Sequence, residues 1–197
     1  MSLPTATVAR HSMDSPDWYT PAPIVFAARE VMGGIDLDPA SCEDANRVAD
    51  AAHYYTAEDD GRRQPWFGMV FLNPPGGKDD AGRSLVADFW CRLMRAWETG
   101  EIEAAIWVGY SMEQLQTLQN ADTIATPLDF SMCIPRKRIA FVENAAKRAA
   151  RIAKLTAAGK TPNLGSQPSH ANYITYLGHD PSRFARIFDQ FGQVVIR

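Results

Sequence analysis

The chain has 197 residues, of which 46% are apolar and 22% are charged, and its formal net charge is −3. These proportions match ordinary globular proteins and exclude a wholly disordered or fibrous chain. The sequence contains no run of 18 apolar residues, and its first residues lack the apolar core of a signal peptide. Both features predict a soluble cytoplasmic protein.

The three cysteines lie far apart, at positions 42, 91 and 133. This spacing is typical neither of a disulfide framework nor of a zinc site, so we expect free thiols and no metal. Eight acidic residues and one basic residue lie between Asp36 and Asp60, whereas eight basic residues and one acidic residue lie between Arg136 and Lys160. This asymmetry predicts one face for an anionic partner, although a solvated helix face also fits the charges.

Residues 1–16 are predicted to form a flexible arm, and alternating helices and strands follow. In the first half of the chain, the pattern predicts a helix over residues 22–32 that Gly33 ends, a strand at 35–38, a short helix capped by Ser41 and a strand at 69–72. It then predicts a helix over 84–99, a strand at 104–108 and a helix that begins with a capping box of Ser111 and Gln114. The remaining predicted elements are strands at 138–142, 172–177 and 193–196, with a helix that begins at Pro181 before the last strand. This alternation predicts an α/β fold with a largely parallel sheet.

Two of the predicted strands end in unusual residues. One strand runs into Asp38 and a proline, and the other runs into Asn73, Pro74 and Pro75. In open α/β sheets, ligands bind beyond the carboxyl ends of the strands. An asparagine side chain offers an acceptor oxygen, and a proline pair leaves carbonyls with no neighbouring N–H to satisfy. The turn is therefore suited to gripping an exocyclic amino group, although the isolated pattern also fits an ordinary strand-end turn.

Six segments of the chain, taken together and in their order along the sequence, indicate more about its family than any one segment does. They are DWYTP (17–21), DLDPAS (36–41), YYTAEDDG (54–61), WFGMVFLNPP (66–75), PRKRIAF (135–141) and SHANYITYL (169–177). Together they resemble the phage and prophage DNA N6-adenine methyltransferases, over residues 17 to about 178. The resemblance implies one Rossmann-like S-adenosylmethionine-dependent methyltransferase domain over residues 17–197, with helices on both faces of the sheet and a basic helical insertion at 143–168.

The resemblance also implies roles for individual residues. Asn73 and Pro74 would accept hydrogen bonds from the adenine N6 amino group and aim its lone pair at the methyl sulfonium of S-adenosylmethionine, and Pro75 and Gly76 would complete this catalytic motif. The methyl group would move by direct displacement, without a covalent intermediate. The cofactor-binding residues that the resemblance implies are Tyr19, Thr20, Pro21, Asp38, Pro39, Ala40 and Asp60.

The chain departs from the pattern of the family at two places. Ser41 and Cys42 stand where a glycine loop usually follows the cofactor motif. Gly76 stands where the family usually has an aromatic ring that stacks on the flipped adenine, an interaction worth about 1–3 kcal/mol per base. We expect another ring to supply this stacking, and the candidates are Trp18, Tyr19 and Trp66.

A base stacked in a duplex has to be flipped out before it reaches such a site, so the resemblance implies contacts with the phosphates of double-stranded DNA. The basic residues that we expect to make these contacts are Lys78, Arg83, Arg136, Lys137, Arg138, Lys147, Arg151 and Lys154. The last three form a basic stripe on one helix face, for which a solvated alanine-rich helix is the alternative.

The sequence therefore predicts a site-specific DNA methyltransferase that transfers a methyl group from S-adenosylmethionine to adenine N6. Two alternatives stay open. One is a methyltransferase for another amino group, such as cytosine N4 or a base of RNA, because the turn would grip any aromatic amino group. The other is a degenerate, non-catalytic DNA-binding module, because Gly76 and the missing glycine loop depart from the pattern of the family.

Overall fold

The computed structural model describes residues 18–123, 125–161 and 170–197; the predicted arm at residues 1–16 lies outside these ranges. The strands are β1 (Trp18–Tyr19), β2 (Leu37–Asp38), β3 (His53–Tyr54), β4 (Gly68–Leu72), β5 (Ile102–Gly109), β6 (Ser131–Pro135), β7 (Val142–Glu143), β8 (Tyr173–Leu177) and β9 (Gly192–Val195). The helices are α1 (Ala22–Met32), α2 (Glu43–Ala49), α3 (Leu85–Glu98), α4 (Glu113–Gln119), α5 (Ala145–Ala157) and α6 (Pro181–Phe188), with 3-10 turns at Gly61–Arg63 and Pro127–Asp129.

Seven strands form one mixed sheet in the order β3-β2-β4-β5-β8-β6-β9, and β1 pairs with β7 in a separate two-stranded ribbon. β3, β2, β4 and β5 are parallel, whereas β8 is antiparallel to both of its neighbours and β9 is antiparallel to β6. The predicted α/β class is confirmed, but the prediction of a largely parallel sheet is wrong. The apolar pattern identified the buried strands, and it carries no information about the direction in which each one runs.

This topology places the carboxyl ends of five strands together. β6 runs in the same direction as β5, because β8 lies between them and is antiparallel to both. β3, β2, β4, β5 and β6 therefore all finish at one end of the sheet, which we call the carboxyl end.

Helices cover both faces of the sheet, as predicted. Ile106 of β5 belongs to one core, which also contains Phe184 and residues of α1. Its neighbour Trp107 belongs to the opposite core, which contains residues of α3 and α4. There Trp90 packs edge-on against Trp107, with 5.1 Å between the ring centroids. The alternation along β5 thus joins two helical layers through one strand.

Most predicted elements are confirmed within two residues at each end, but the strand predicted over residues 138–142 is wrong. A strand lies earlier, at β6, and only the short β7 follows it. The backbone N–H of Ile139 donates to Asn172 Oδ1 at 2.7 Å instead of to a neighbouring strand. The β6 sequence SMCIP begins and ends with residues that do not favour strands, which is why the pattern missed it.

Two predicted helix starts are also wrong. The residue directly before α2 is Cys42 rather than Ser41. Ser111 and Gln114 form no capping box, because Gln114 is only 4% exposed and its Oε1 lies 3.5 Å from the hydroxyl of Tyr173. The Gln114 side chain packs in the core beside Tyr173 instead of capping the start of α4.

The close packing of Gly61 against the backbone of Pro39 gives a test of this arrangement. A Cβ atom added to Gly61 would overlap the Pro39 carbonyl oxygen, so we expect Gly61→Ala to lower the free energy of unfolding by about 1–3 kcal/mol. Gly34→Ala is the matched control, because nothing lies within 4 Å of its added Cβ, and we expect a change below about 0.5 kcal/mol. Urea unfolding measures both variants. Equal stabilities would contradict the contact.

Candidate functional site

The turns that follow β2 and β4 lie side by side at the carboxyl end of the sheet. The two strands pair in parallel, with Leu37 opposite Val70. Asp38 is the last residue of β2, and Asn73 is the first residue after β4. The structure therefore brings together the two segments in which the resemblance predicts a cofactor motif and a catalytic motif.

β1 connects these two turns. The Trp18 carbonyl accepts a hydrogen bond from Asn73 Nδ2 at 3.0 Å, and the Tyr19 hydroxyl accepts one from Cys42 Sγ, in the turn after β2, at 3.4 Å. The next residue, Thr20, is buried, and its hydroxyl has no hydrogen-bond partner in the described part of the chain. A buried polar group without a partner is costly, so this hydroxyl would gain from a hydrogen bond to a ligand at the site.

The Asn73 turn presents two unused acceptors. A backbone carbonyl can only accept hydrogen bonds, so the side-chain amide of Asn73 turns its NH₂ group towards Trp18 and its Oδ1 away from it. Within the ranges that the structure describes, neither Asn73 Oδ1 nor the Pro74 carbonyl accepts a hydrogen bond. Two acceptors on adjacent residues match the two hydrogens of an amino group.

Asp38 is a buried carboxylate at the neighbouring turn. Its side chain accepts a hydrogen bond from the backbone N–H of Ala40 at 3.2 Å, and the residue is only 5% exposed. Burial raises the pKa of Asp38 to about 6, against the opposing effects of the Ala40 amide and the Ser41 hydroxyl. A carboxylate kept in so unfavourable a place is a common sign of a functional site.

Asp60 is engaged by arginines. Its carboxylate accepts hydrogen bonds from Arg62 at 2.7 Å and 3.0 Å, and these hold the pKa of Asp60 below its usual value. Arg62 also reaches Asp88 on α3 at 3.0 Å. Asp60 thus helps to join the 3-10 turn at Gly61–Arg63 to α3, and its predicted contact with a cofactor stays a prediction.

A series of polar contacts links the candidate site to α5. The Tyr19 hydroxyl accepts a hydrogen bond from Asn144 Nδ2 at 2.5 Å. In the adjacent position, Glu143 of β7 binds both Nε and Nη2 of Arg151 at 2.8 Å. α5 is therefore held against the β1–β7 ribbon, and that ribbon in turn contacts Asn73.

The predicted DNA-binding residues fall into two groups. Arg83 and Arg151 each make two hydrogen bonds to one carboxylate, of Asp79 and of Glu143, so much of their charge is already neutralised. Arg83 is nevertheless exposed, as are Lys78, Arg136, Lys137, Arg138 and Lys154, and Arg136 also donates to the Asp189 carbonyl at 2.8 Å. The side chain of Lys147 lies outside the described structure.

Asn172 holds the basic turn at residues 136–138 beside the candidate site. This turn directly follows β6 and so lies at the carboxyl end of the sheet. Asn172 is 4% exposed; it accepts a hydrogen bond from the Ile139 N–H at 2.7 Å and donates one to the Tyr110 carbonyl at 2.6 Å. A buried amide with both groups satisfied fixes the two segments relative to each other.

Sequence reasoning missed Tyr110. This residue directly follows β5, and its hydroxyl oxygen lies 3.0 Å from the position that a Cβ would occupy on Gly76. The rule that drew attention to Asn73, a polar residue at the carboxyl end of a buried strand, would also have identified Tyr110. Trp66, which the sequence offered as a stacking ring, is instead buried, and its indole N–H donates to the Gly61 carbonyl at 2.8 Å.

Comparison of the chain with models of protein families, with curated proteins and with solved structures finds no match. No helix in the described ranges is long and apolar enough to cross a membrane. The same ranges contain no group of three or more His, Cys, Asp or Glu side chains that could hold a metal ion.

The burial of Asp38 predicts a pH-dependent cost in stability. An acid whose pKa is higher in the folded state than in the unfolded chain binds more protons when folded, so folding loses stability as the pH rises from about 4 to about 6. Asp38→Asn keeps an acceptor for the Ala40 amide but removes this loss. We expect this variant to be more stable than the wild type by about 1–3 kcal/mol at pH 7, with the difference shrinking towards zero near pH 4.

Urea unfolding between pH 4 and pH 8 measures this difference. The exposed Asp80 provides the control, because Asp80→Asn should change the stability by less than about 0.5 kcal/mol at every pH. An Asp38→Asn variant that is less stable than the wild type at pH 7 would show that the carboxylate is stabilised, rather than penalised, in the folded state.

Proposed function

We propose that the protein is an S-adenosylmethionine-dependent DNA methyltransferase of the phage and prophage type, acting on adenine N6 in the bacterial cytoplasm. The observation that carries the proposal is the pair of unused acceptors, Asn73 Oδ1 and the Pro74 carbonyl, beside the buried Asp38. Ligands of α/β sheets bind at this end of the strands. The parallel strands β3, β2, β4 and β5 and the helices on both faces support a Rossmann-like domain.

The residues around β2 suit the proposed cofactor. S-adenosylmethionine, when bound, supplies a methyl group on a positively charged sulfur. It also carries hydroxyl and amino groups, which the Asp38 carboxylate and the unpartnered Thr20 hydroxyl can bind. Tyr19 and Pro21 flank Thr20 on the segment that crosses both turns, and Pro39 and Ala40 complete the turn after β2.

The Asn73 turn performs the chemical step through positioning. Asn73 Oδ1 and the Pro74 carbonyl accept the two N–H groups of the substrate amine, which draws the nitrogen lone pair out of conjugation with the ring. The same two bonds fix the direction in which that lone pair points. The bond from the amine nitrogen to the methyl carbon would form as the carbon–sulfur bond of the cofactor breaks, S-adenosylhomocysteine would leave, and the methylated amine would release one proton to water. Preorganised dipoles and correct orientation can supply most of the rate enhancement of such a displacement, so no side chain of the protein has to form a covalent bond.

The distribution of charge supports a DNA substrate. The exposed basic turn at residues 136–138 lies at the same end of the sheet as Asn73, where the backbone of a duplex with a flipped base would pass. The acidic segment between Asp36 and Asp60 would be repelled by phosphates, so it belongs on the cofactor side. Lys78, in the loop after the Asn73 turn, extends the basic surface.

Replacing Asn73 tests the proposed function directly. We expect Asn73→Ala to reduce methyl transfer by at least about 100-fold, because one of two preorganised acceptors is lost. The assay incubates the protein with S-adenosylmethionine and unmethylated genomic DNA, and mass spectrometry then quantifies methylated nucleosides in the hydrolysed DNA. Asn120→Ala is the matched control, since the Asn120 amide only donates to the Gln116 carbonyl on the exposed side of α4.

Each product has a defined meaning in this assay. N6-methyladenine made by the wild type and by Asn120→Ala, but not by Asn73→Ala, supports the proposal. If the product is N4-methylcytosine, the substrate base is cytosine rather than adenine. A wild-type protein that makes no methylated nucleoside would contradict the proposal, and one that nevertheless binds DNA would favour a non-catalytic module.

The basic turn predicts a defined dependence of DNA binding on salt. Lys137→Gln combined with Arg138→Gln should weaken binding to duplexes of any sequence. It should also flatten the slope of log K against log salt by up to about 1.8, since each phosphate contact contributes about 0.9. Arg95→Gln is the control, because Arg95 lies exposed in the last turn of α3, near the opposite end of the sheet. Equal slopes for the wild type and both variants would remove the basic turn from the DNA interface.

A further inference from the structure

Gly76 and Tyr110 occupy one space between them. A Cβ added to Gly76 would lie 3.0 Å from the Tyr110 hydroxyl oxygen, 3.3 Å from Cζ and 3.4 Å from Cε1. The first two separations are tighter than most Cβ contacts, so a side chain at position 76 would require the Tyr110 ring to move by a few tenths of an ångström. The Tyr110 ring therefore lies against the position on the Asn73 turn at which a side chain is absent.

The backbone of Tyr110 is held on both sides. Its carbonyl accepts the hydrogen bond from Asn172, and the preceding Gly109 lies directly against the ring of Tyr173, with no room for a Cβ. The Tyr110 side chain itself is half-buried, and its hydroxyl makes no hydrogen bond within the described residues. A ring with a fixed base and a free tip is preorganised to pack against a ligand.

A small cavity lies along Tyr110. It has a volume of about 130 Å³, and its lining includes Gly77 from the Asn73 turn and Gln114 from α4. Gln114 is 4% exposed, and its Nε2 has no hydrogen-bond partner among the described residues. A ligand in this cavity that carries an acceptor, as the ring nitrogens of a nucleobase do, would satisfy this donor on contact with it.

We propose that Tyr110 is the ring on which the target base stacks, in place of an aromatic residue on the Asn73 turn. The inference depends on the proposed function and deepens it, because it names the residue that holds the base while Asn73 and Pro74 grip its amino group. Tyr110, which directly follows β5, thus supplies the aromatic stacking contact that the Asn73 turn lacks. Tyr110 is a binding residue and takes part in no bond-breaking step.

The first test separates stacking from the filling of space. Tyr110→Leu keeps the bulk but removes the π face, so we expect kcat/KM for duplex DNA to fall by about 5- to 100-fold. The dissociation constant for S-adenosylhomocysteine, measured by calorimetry, should change by less than about twofold. Tyr110→Phe retains the ring and should lose much less activity than Tyr110→Leu. Phe26→Leu, at an exposed aromatic residue on α1, controls for the loss of a ring elsewhere.

The second test exploits the overlap of the two positions. Gly76→Phe in the wild type should lower kcat/KM, because the new ring collides with Tyr110. In the background of Tyr110→Ala, the same Gly76→Phe should raise kcat/KM by at least about fivefold, because the ring returns from the turn. A change whose effect reverses sign between two backgrounds is the signature expected of a ring that can be supplied from either side.

The outcomes also distinguish this inference from the function on which it depends. A wild type that methylates adenine, with Tyr110→Leu equally active, overturns the stacking role alone. Tyr110→Leu that loses melting temperature and S-adenosylhomocysteine affinity together with activity, with Gly76→Phe harmful in both backgrounds, assigns Tyr110 a structural role and also overturns the inference. A wild type that neither binds S-adenosylhomocysteine nor methylates DNA overturns both proposals.

Discussion

The hydrogen bond from the Asn73 amide to the Trp18 carbonyl is the contact on which the candidate site depends. It determines which way the amide faces, and so whether the turn offers a donor or an acceptor to a ligand. Because Trp18 belongs to the β1–β7 ribbon, this orientation is coupled to a segment far away in the sequence. The neighbouring Tyr19 contacts the turn after β2 and Asn144, so one short strand organises both turns and the approach to α5.

The same region holds groups that reduce stability. Asp38 is buried with a raised pKa, and the Thr20 hydroxyl is buried without a partner in the described structure. Neither feature helps the chain to fold, and a polar ligand that hydrogen-bonds both groups would offset their cost. The two cores built around Ile106 and Trp107, on opposite faces of the sheet, provide the hydrophobic stabilisation of the fold.

Local signals in the sequence predicted most of the elements but not their arrangement. α1 and α3 begin and end within a residue of the predicted bounds, because proline, serine and glycine signals act on the residues next to them. The direction of β8 could not be predicted, since a run of apolar residues packs equally well either way. Gln114 was misassigned because its burial depends on Tyr173, a residue distant in the chain. The Asn73 turn drew attention because its residues are adjacent in the sequence. The position of Tyr110 directly after a buried strand was also readable from the sequence, but its contact with Gly76 was not, because that contact exists only in three dimensions.

In the proposed function, cofactor and substrate meet where β2 and β4 end. A crystal structure of the protein with S-adenosylhomocysteine tests this placement. We expect density for the ligand beside Asp38 and Thr20, with its sulfur facing Asn73 Oδ1 and the ring of Tyr110 left open to a base. Density at the opposite end of the sheet, or on the far side of α6, would contradict it.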